Sequence, residues 1–359
     1  MIEKIHIQNF KSIYDLQVEV ARVNLFIGEN GSGKSNLLEA LVFTSASDSN
    51  KLDNEFLVSR GIRVTEPILM RSAFSDYNED ENIEIAIKYN NIEKEYSFYN
   101  RNTNYSKWEE DNTNSANLEI SNGDLDSEIL KKYMIHLNTK LIDFLIYSPE
   151  NTALRIFEKE GQIQPLGING EGLLKLLKVI NNYEDKTHIE TIIKSLQLFN
   201  WFENIEIPTD LKSNENKIVI KDKYLYQEFD QRSANEGFLF ILFYITLIVA
   251  KETPKAFAID NIDASLNPKL CTKLMTILSD LAEKYDKQIF LTTHNPAILD
   301  GIDLNDEEQK LFVVSRNKQG HTRMKNITAK DKPKSSTDET LKLSEAFLRG
   351  YLGGLPKGF

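Results

Sequence analysis

A single cysteine, Cys271, among 359 residues leaves no internal disulfide and no cysteine-based metal cluster to build, which suits a reducing compartment. Its expected role is packing. Long apolar runs are also lacking: the longest, residues 238–250, is interrupted by Thr246 and is too short to span a bilayer. It reads as a buried core helix. No basic leader and apolar stretch precedes Ile5-His6-Ile7, so no signal peptide is expected and a cytoplasmic location is. Positive charge is in deficit, with 43 Lys and Arg against 54 Asp and Glu, and a net charge of −11 opposes indiscriminate binding to nucleic acid. Any such contact must be local. Sustained heptads are absent, so no long coiled coil is expected, and no internal repeat is visible.

What is present is an octapeptide, Gly28-Glu29-Asn30-Gly31-Ser32-Gly33-Lys34-Ser35, placed between the apolar run Val23-Asn24-Leu25-Phe26-Ile27 and the apolar residues Leu37, Leu38, Leu41 and Val42. This order reads as strand, phosphate loop and helix. Gly28 and Gly33 let the backbone curl until successive N–H groups point inward, and Lys34 adds a cation near the β- and γ-phosphates. Ser35 offers a hydroxyl to Mg²⁺, and the helix N-terminus adds partial positive charge. A plain glycine turn between strand and helix is the bland alternative.

Along the chain, Ile5 and Ile7, then Leu16, Val18 and Val20, alternate with polar residues and suggest two strands. Residues 45–75 look irregular. Ile83, Ile85, Ile87 and Tyr89, then Tyr96 and Phe98 beyond an Asn90-Asn91 turn, predict an antiparallel hairpin. Residues 100–127 are rich in Asn, Ser, Asp and Glu and read as a mobile loop in which Trp108 is a lone aromatic. From 150 to 210 the apolar residues recur at helical spacing, predicting a helical insertion. A second hairpin is expected around Lys221-Asp222, with Ile218 and Ile220 on one arm and Tyr224 and Tyr226 on the other.

Residues 255–260 form an apolar strand ending in Asp260, as expected of a buried parallel strand. Asn267 and Pro268 fit the N-cap and first position of the next helix. Residues 288–294 predict another buried strand, ending in His294. Residues 311–315 and 322–327 predict two edge strands, and 341–348 a last helix. Lys310, Arg316, Lys318, Arg323, Lys325, Lys330, Lys332 and Lys334, against Asp331, make the best local nucleic-acid candidate, or simply a solvated basic edge. A phosphate loop and an apolar strand ending in Asp about 225 residues later belong together in P-loop ATPases, with Asp260 orienting Mg²⁺. Capping the next helix is the structural alternative for Asp260. His294 at the end of a strand of the same sheet could hydrogen-bond a γ-phosphate, or serve structure alone.

Taken together, Ile7-Gln8-Asn9-Phe10-Lys11-Ser12, residues 28–39, Ala234-Asn235-Glu236-Gly237, residues 257–263, Ser265-Leu266-Asn267-Pro268 and residues 291–296 resemble the ABC-type P-loop ATPases of the SMC and RecF class. The nearest resemblance is to the short bacterial AAA-family members grouped with overcoming-lysogenisation-defect and abortive-infection ATPases. The implied fold is an α/β ABC-ATPase head, with a mixed central sheet carrying the P-loop, an antiparallel β subdomain and a short helical insertion in place of a coiled coil. Its parts would be an N-terminal half-head at 1–149, the insertion at 150–210 and a C-terminal half-head at 211–359.

The resemblance implies ATP and Mg²⁺ as ligands. Gly28, Asn30, Gly31, Gly33, Lys34, Ser35 and Asn36 correspond to the Walker A segment, Asp260 to the Walker B aspartate and His294 to the switch histidine. Ser35 and Asp260 would hold the metal. Residues 265–268 resemble the D-loop, and Lys11 matches a basic residue that reaches toward nucleotide in relatives. Asn235 and Gly237 stand where the family has a Ser-x-Gly signature that touches the nucleotide of a second subunit, with Ser233 the alternative under a shifted alignment. Tyr147-Ser148-Pro149-Glu150 is the Q-loop candidate. Asn261 replaces the glutamate that normally follows the Walker B aspartate; Asn can position water but cannot take its proton. Asp263 and Glu236 are the candidate substitutes.

The resemblance further implies a homodimer or higher oligomer formed through an ATP sandwich, switching a separate nuclease or toxin effector in anti-phage defence, with no membrane partner. A non-hydrolysing ATP-bound scaffold and a RecF-like DNA repair ATPase are the competing expectations.

Overall fold

The phosphate loop is carried by a sheet whose strands are short and apolar along nearly their whole length. In a computed structural model describing residues 1–74, 81–89, 92–103, 106–111, 143–156, 165–210, 217–333 and 341–354, the strands in chain order are β1 (Ile2–Phe10), β2 (Ile13–Glu19), β3 (Val23–Gly28), β4 (Ile83–Tyr89), β5 (Ile92–Tyr99), β6 (Glu109–Glu110), β7 (Ile146–Tyr147), β8 (Phe202–Glu206), β9 (Val219–Asp222), β10 (Ala256–Ile259), β11 (Gln288–Thr293), β12 (Gln309–Arg316) and β13 (Thr322–Ile327). Among these residues a six-stranded sheet has the order β13-β12-β3-β11-β10-β7. All its pairings are parallel except β12 with β13. A five-stranded antiparallel sheet, β2-β1-β4-β5-β6, lies beside it. Its strands alternate buried and exposed residues, as a sheet covered on one face should.

The helices are α1 (Lys34–Asp48), α2 (Asn54–Ser59), α3 (Pro67–Met70), α4 (Asn151–Arg155), α5 (Leu173–Asn181), α6 (Thr187–Leu196), α7 (Glu236–Val249), α8 (Pro268–Lys284) and α9 (Leu343–Leu348). Helix α1 is buried on all sides, since its apolar residues share one core with the inner face of the antiparallel sheet and with Phe26, Phe290 and Phe312 of the central sheet. The opposite face of the central sheet meets α5, α6, α7 and α8 in a second core. Helix α7 lies at its centre and buries every residue from Gly237 to Val249. Each fully buried Phe, Leu or Ile there contributes about 1.5–3 kcal/mol.

Several expectations are corrected. Helix α1 continues through Ser45 to Asp48 and α2 follows, so the stretch from 45 onward is more ordered than its mixed composition suggests. Trp108 is no loop aromatic: it is 4% exposed, with the Phe43 ring edge-on at 5.5 Å and the Arg71 guanidinium 4.9 Å from its own ring. Of the polar stretch, residues 104–105 and 112–127 lie outside the described residues, as does the Asn90-Asn91 turn. The second hairpin pairs β9 with β8, a strand inside the range read as helical, because Asp222 accepts a hydrogen bond from the Tyr224 N–H and turns the chain. Tyr224 and Tyr226 therefore point outward instead of continuing a ladder. Strand β12 is interior, between β3 and β13, since its central Leu311, Phe312, Val313 and Val314 are all buried; of the two expected edge strands β13 alone lies at an edge. The range read as helical does hold α4, α5 and α6, and α5 and α6 pack into the core of the central sheet.

Candidate functional site

Strand β3 delivers the chain to the loop at Gly28, where a Cβ would lie 2.1 Å from the Val314 carbonyl oxygen of the neighbouring strand. Only glycine fits that approach. Gly33 has φ of 103°, a left-handed conformation that glycine alone adopts freely, and starts α1 immediately after. Lys34 begins the helix and folds back over the loop, donating to the carbonyls of Gly28 and Glu29 at 2.9 Å each. Burial brings its ammonium down to about 8 against the opposing pull of Asp260, Asp263 and Glu29.

The loop is also held from outside. Thr322 donates to the Ser32 carbonyl at 2.9 Å, and Arg316 donates to the Gly31 carbonyl at 2.7 Å. Ser12 and Thr322 share a hydroxyl contact of 2.7 Å, and Asn36 donates to the Ser12 hydroxyl at 2.7 Å. The Ser32 N–H donates within the loop, to the Glu29 carbonyl at 3.3 Å. Ser32 is buried and its hydroxyl has no partner, an orphaned donor of the kind a phosphate oxygen satisfies. Asn30 and Gly31 form the exposed tip.

The Ser35 hydroxyl lies 3.3 Å and 3.2 Å from the two carboxylate oxygens of Asp260, at the end of β10. Thr292 of the adjacent β11 donates its hydroxyl to the same carboxylate and accepts from the Asn261 N–H at 2.9 Å. This makes a pair of hard oxygen donors oriented by a third group, a set that fits Mg²⁺. Asn261 follows, exposed and at φ 54°, a conformation Asn tolerates better than most residues. Asp263 accepts from the Thr293 hydroxyl at 2.6 Å and from the His294 N–H at 3.3 Å. The His294 Nδ1 lies 3.2 Å from the Gly28 carbonyl and 3.4 Å from the Lys34 ammonium. Burial and the Lys34 charge lower its pKa, so the ring is neutral near pH 7 and carries a single N–H.

Lys11 is held by Glu39 and by the Arg63 carbonyl at 2.8 Å, and burial lowers its pKa although Glu39 opposes this. Asn235 caps α7, its side chain accepting from the Phe238 N–H at 2.8 Å. A Cβ on Gly237 would sit 3.1 Å from the Ser265 carbonyl, so α7 starts tight against the 265–268 segment. Among the described residues no hydrogen bond joins Asn235 or Gly237 to the phosphate loop of the same chain. The Q-loop candidate follows β7, with the Ser148 and Glu150 N–H groups donating to Ile168 and Asn169.

In the basic stretch, Arg316 serves the loop, Arg323 donates to the Asp15 carbonyl, Lys310 to the Glu19 carbonyl, and Lys325 pairs with Asp331. Lys334 lies outside the described residues. Ser12, Thr322 and Thr292 were not singled out individually from sequence, and Arg316 was read only as part of the basic stretch. Ser12 and Thr292 fall within segments that carry the family resemblance, whereas Thr322 is 290 positions from its partner and no local signal marks it.

The AAA domain family matches residues 4–234, well over half of the chain, and a second description, AAA domain with a putative AbiEii toxin of a Type IV TA system, matches residues 197–300. The chain belongs to the AAA domain family. This AAA-family chain has the SMC-head fold: it is similar to the Smc head bound to the C-winged helix domain of ScpA, with a TM-score of 0.59 over 92% of this chain and 98% of that one, at 17% identity. It is 24% identical over 339 residues to the Septu protein PtuA of Bacillus mycoides, which covers 88% of this chain. It is 38% identical over 55 residues, 15% of each chain, to the DNA replication and repair protein RecF of Listeria welshimeri. The matched region spans 42% of the length of the first curated relatives, the Septu protein among them. The chain is thus an AAA-family member that carries its phosphate loop on an SMC-head fold. Among the described residues no helix is long and apolar enough to cross a membrane.

Proposed function

We propose that the chain is an ATP-operated switch that closes as a homodimer and controls a separate effector protein in defence against phage. The observation that carries this reading is the Ser35–Asp260 pair, held by Thr292 beside Lys34 and the loop N–H groups. Gly28, Asn30, Gly31, Gly33 and Asn36 shape and support the phosphate cradle, and Lys34 supplies its cation. Ser35 and Asp260 would hold Mg²⁺, which supplies charge neutralisation at the β- and γ-phosphates when bound. His294 offers a neutral imidazole at the edge of the cradle, next to Lys34. Asn235 and Gly237, free of their own loop, are available at a helix N-terminus to a nucleotide on a second subunit.

Tighter binding of ATP to the closed dimer than to the open chain would drive the switch. The defence role is supported by the similarity to a Septu protein and by the abortive-infection toxin family matched at 197–300. In cells carrying this gene with its neighbours, plating of a sensitive phage should fall, and Lys34→Ala should restore it. Equal plating with the wild-type and Lys34→Ala chains would contradict the reading.

Asn261 favours a second reading, a scaffold that keeps its nucleotide. Its side chain lacks a carboxylate to accept a proton, a loss that typically costs 10²–10⁴-fold in rate. Phosphate release above background that Lys34→Ala abolishes would exclude it.

A further inference from the structure

Two cavities on this chain are lined by opposite charge. One, of about 380 Å³, opens beside the phosphate loop and is lined by Lys11, Arg63, Arg71 and Arg316 with Leu69 and Phe74, and by no carboxylate. The other, of about 800 Å³, adjoins the start of α7; Asp222, Glu228, Trp201, Tyr226, Phe229 and Asn235 line it, and no cation does. The rim of the acidic cavity is the loop that the sequence suggested as a strand. Its side chains stand in solvent: Tyr224 is 79% exposed, Leu225 57% and Tyr226 fully. Three consecutive large apolar residues exposed together, the longest such run among the described residues, mark a contact surface.

The loop is preorganised. Ile220 and Phe229 exchange backbone hydrogen bonds of 2.7 Å and 3.1 Å at its base, and Asp222 holds the turn before the tip by accepting from the Tyr224 N–H. A rigid loop loses little entropy when it docks. The basic cavity offers matching apolar surface, since Leu69 is 54% exposed beside the partly buried Phe74.

We propose that residues 224–226 of one copy dock over the basic groove beside the phosphate loop of a second copy, with the reciprocal contact formed at the same time. This rests on the proposed dimer and adds a contact outside the nucleotide-binding segments. The occupant is a second copy because the chain carries both halves: an aromatic projection bearing Glu228 next to Asn235 and, next to Gly31, an apolar socket whose cations Arg63 and Arg316 outnumber the Glu39 carboxylate that pairs with Arg63. A two-fold axis satisfies both contacts with one surface pair. Arg63, exposed at the groove mouth with its Nε held by Glu39, presents its guanidinium face for stacking on a tyrosine.

The test is a double variant, Tyr226→Cys with Leu69→Cys, treated with a short bis-maleimide in the presence of Mg²⁺ and a hydrolysis-resistant ATP analogue; Cys271 is buried and does not compete. A covalent dimer that needs both cysteines and the analogue is expected. Dimerisation by sedimentation without that cross-link overturns this inference and leaves the nucleotide-driven dimer standing; no association at all overturns both. As a second arm, Tyr226→Ala and Glu228→Lys, both on the projection, should each weaken analogue-dependent association about ten-fold or more without changing analogue binding by the single chain. Unchanged association in both variants likewise overturns it.

Discussion

The Ser35 hydroxyl lies 3.3 Å and 3.2 Å from the two carboxylate oxygens of Asp260, although 225 positions separate the residues in the chain. Thr292 fixes this carboxylate from the far side. Groups that orient a metal-binding carboxylate typically matter 10–100-fold. Thr292→Val should therefore raise the Mg²⁺ concentration needed for half-maximal ATP binding by about ten-fold, and Asp260→Asn by more. Fluorescent-nucleotide titration at several Mg²⁺ concentrations reads this directly. An unchanged Mg²⁺ requirement in Asp260→Asn would remove the carboxylate from the site.

Lys34 supplies a pH dependence. Burial brings it from 10.5 to about 8, and only its charged form attracts phosphate. ATP affinity should be full below that value and fall as pH rises through it, a loss of roughly ten-fold between pH 7 and 9. Calorimetric titration across this range should show the decline in the wild type, and Lys34→Arg should flatten it because arginine stays charged. Lys34→Ala should lose about 10- to 100-fold at pH 7, as expected for a charged hydrogen bond.

Asn261 is exposed, at φ 54°, beside the Asp260 carboxylate. Asn261→Glu adds a proton acceptor and should raise phosphate release by about 10²-fold. Glutamate takes up a left-handed conformation less readily, so a stability cost of about 1 kcal/mol should accompany the gain. Unchanged turnover in a folded Asn261→Glu variant would place the limiting step elsewhere.

Trp108, directly before β6, packs against Phe43 of α1 and under the Arg71 guanidinium that follows α3. Trp108→Ala should cost about 3–5 kcal/mol in urea unfolding. Tyr226→Ala, at a fully exposed position, should stay within about 0.5 kcal/mol. A Trp108→Ala value as small as that of Tyr226→Ala would return this residue to the loop.

The contrast between Trp108 and Tyr226 shows where sequence patterns carry information. The phosphate loop, the strand ending at Asp260 and the Asn267-Pro268 helix start were legible because each depends on neighbours within a few residues: glycine freedom, continuous apolar character, a side chain capping the next turn. Asn267 does accept from the Leu270 N–H at 3.0 Å. Thr322, Arg316 and Ser12 support the loop from elements far away in the chain, and their identities are ordinary for strand ends and turns. The interior position of β12 was hidden by Lys310 and Arg316 at its ends. Tyr224 and Tyr226 alternate like a strand, but Asp222 accepts the Tyr224 N–H and the ladder passes instead to Phe229. Local propensity lost there to a side-chain turn.

The central claim is that nucleotide held at Lys34, Ser35 and Asp260 drives two copies together. Sedimentation equilibrium of the full chain with Mg²⁺ and a hydrolysis-resistant ATP analogue measures it most directly, with Lys34→Ala alongside. The account predicts a mass twice that of the 41.3 kDa chain for the wild type with analogue, and the single-chain mass for the wild type without it and for Lys34→Ala. A single-chain mass for the wild type at saturating analogue would contradict it.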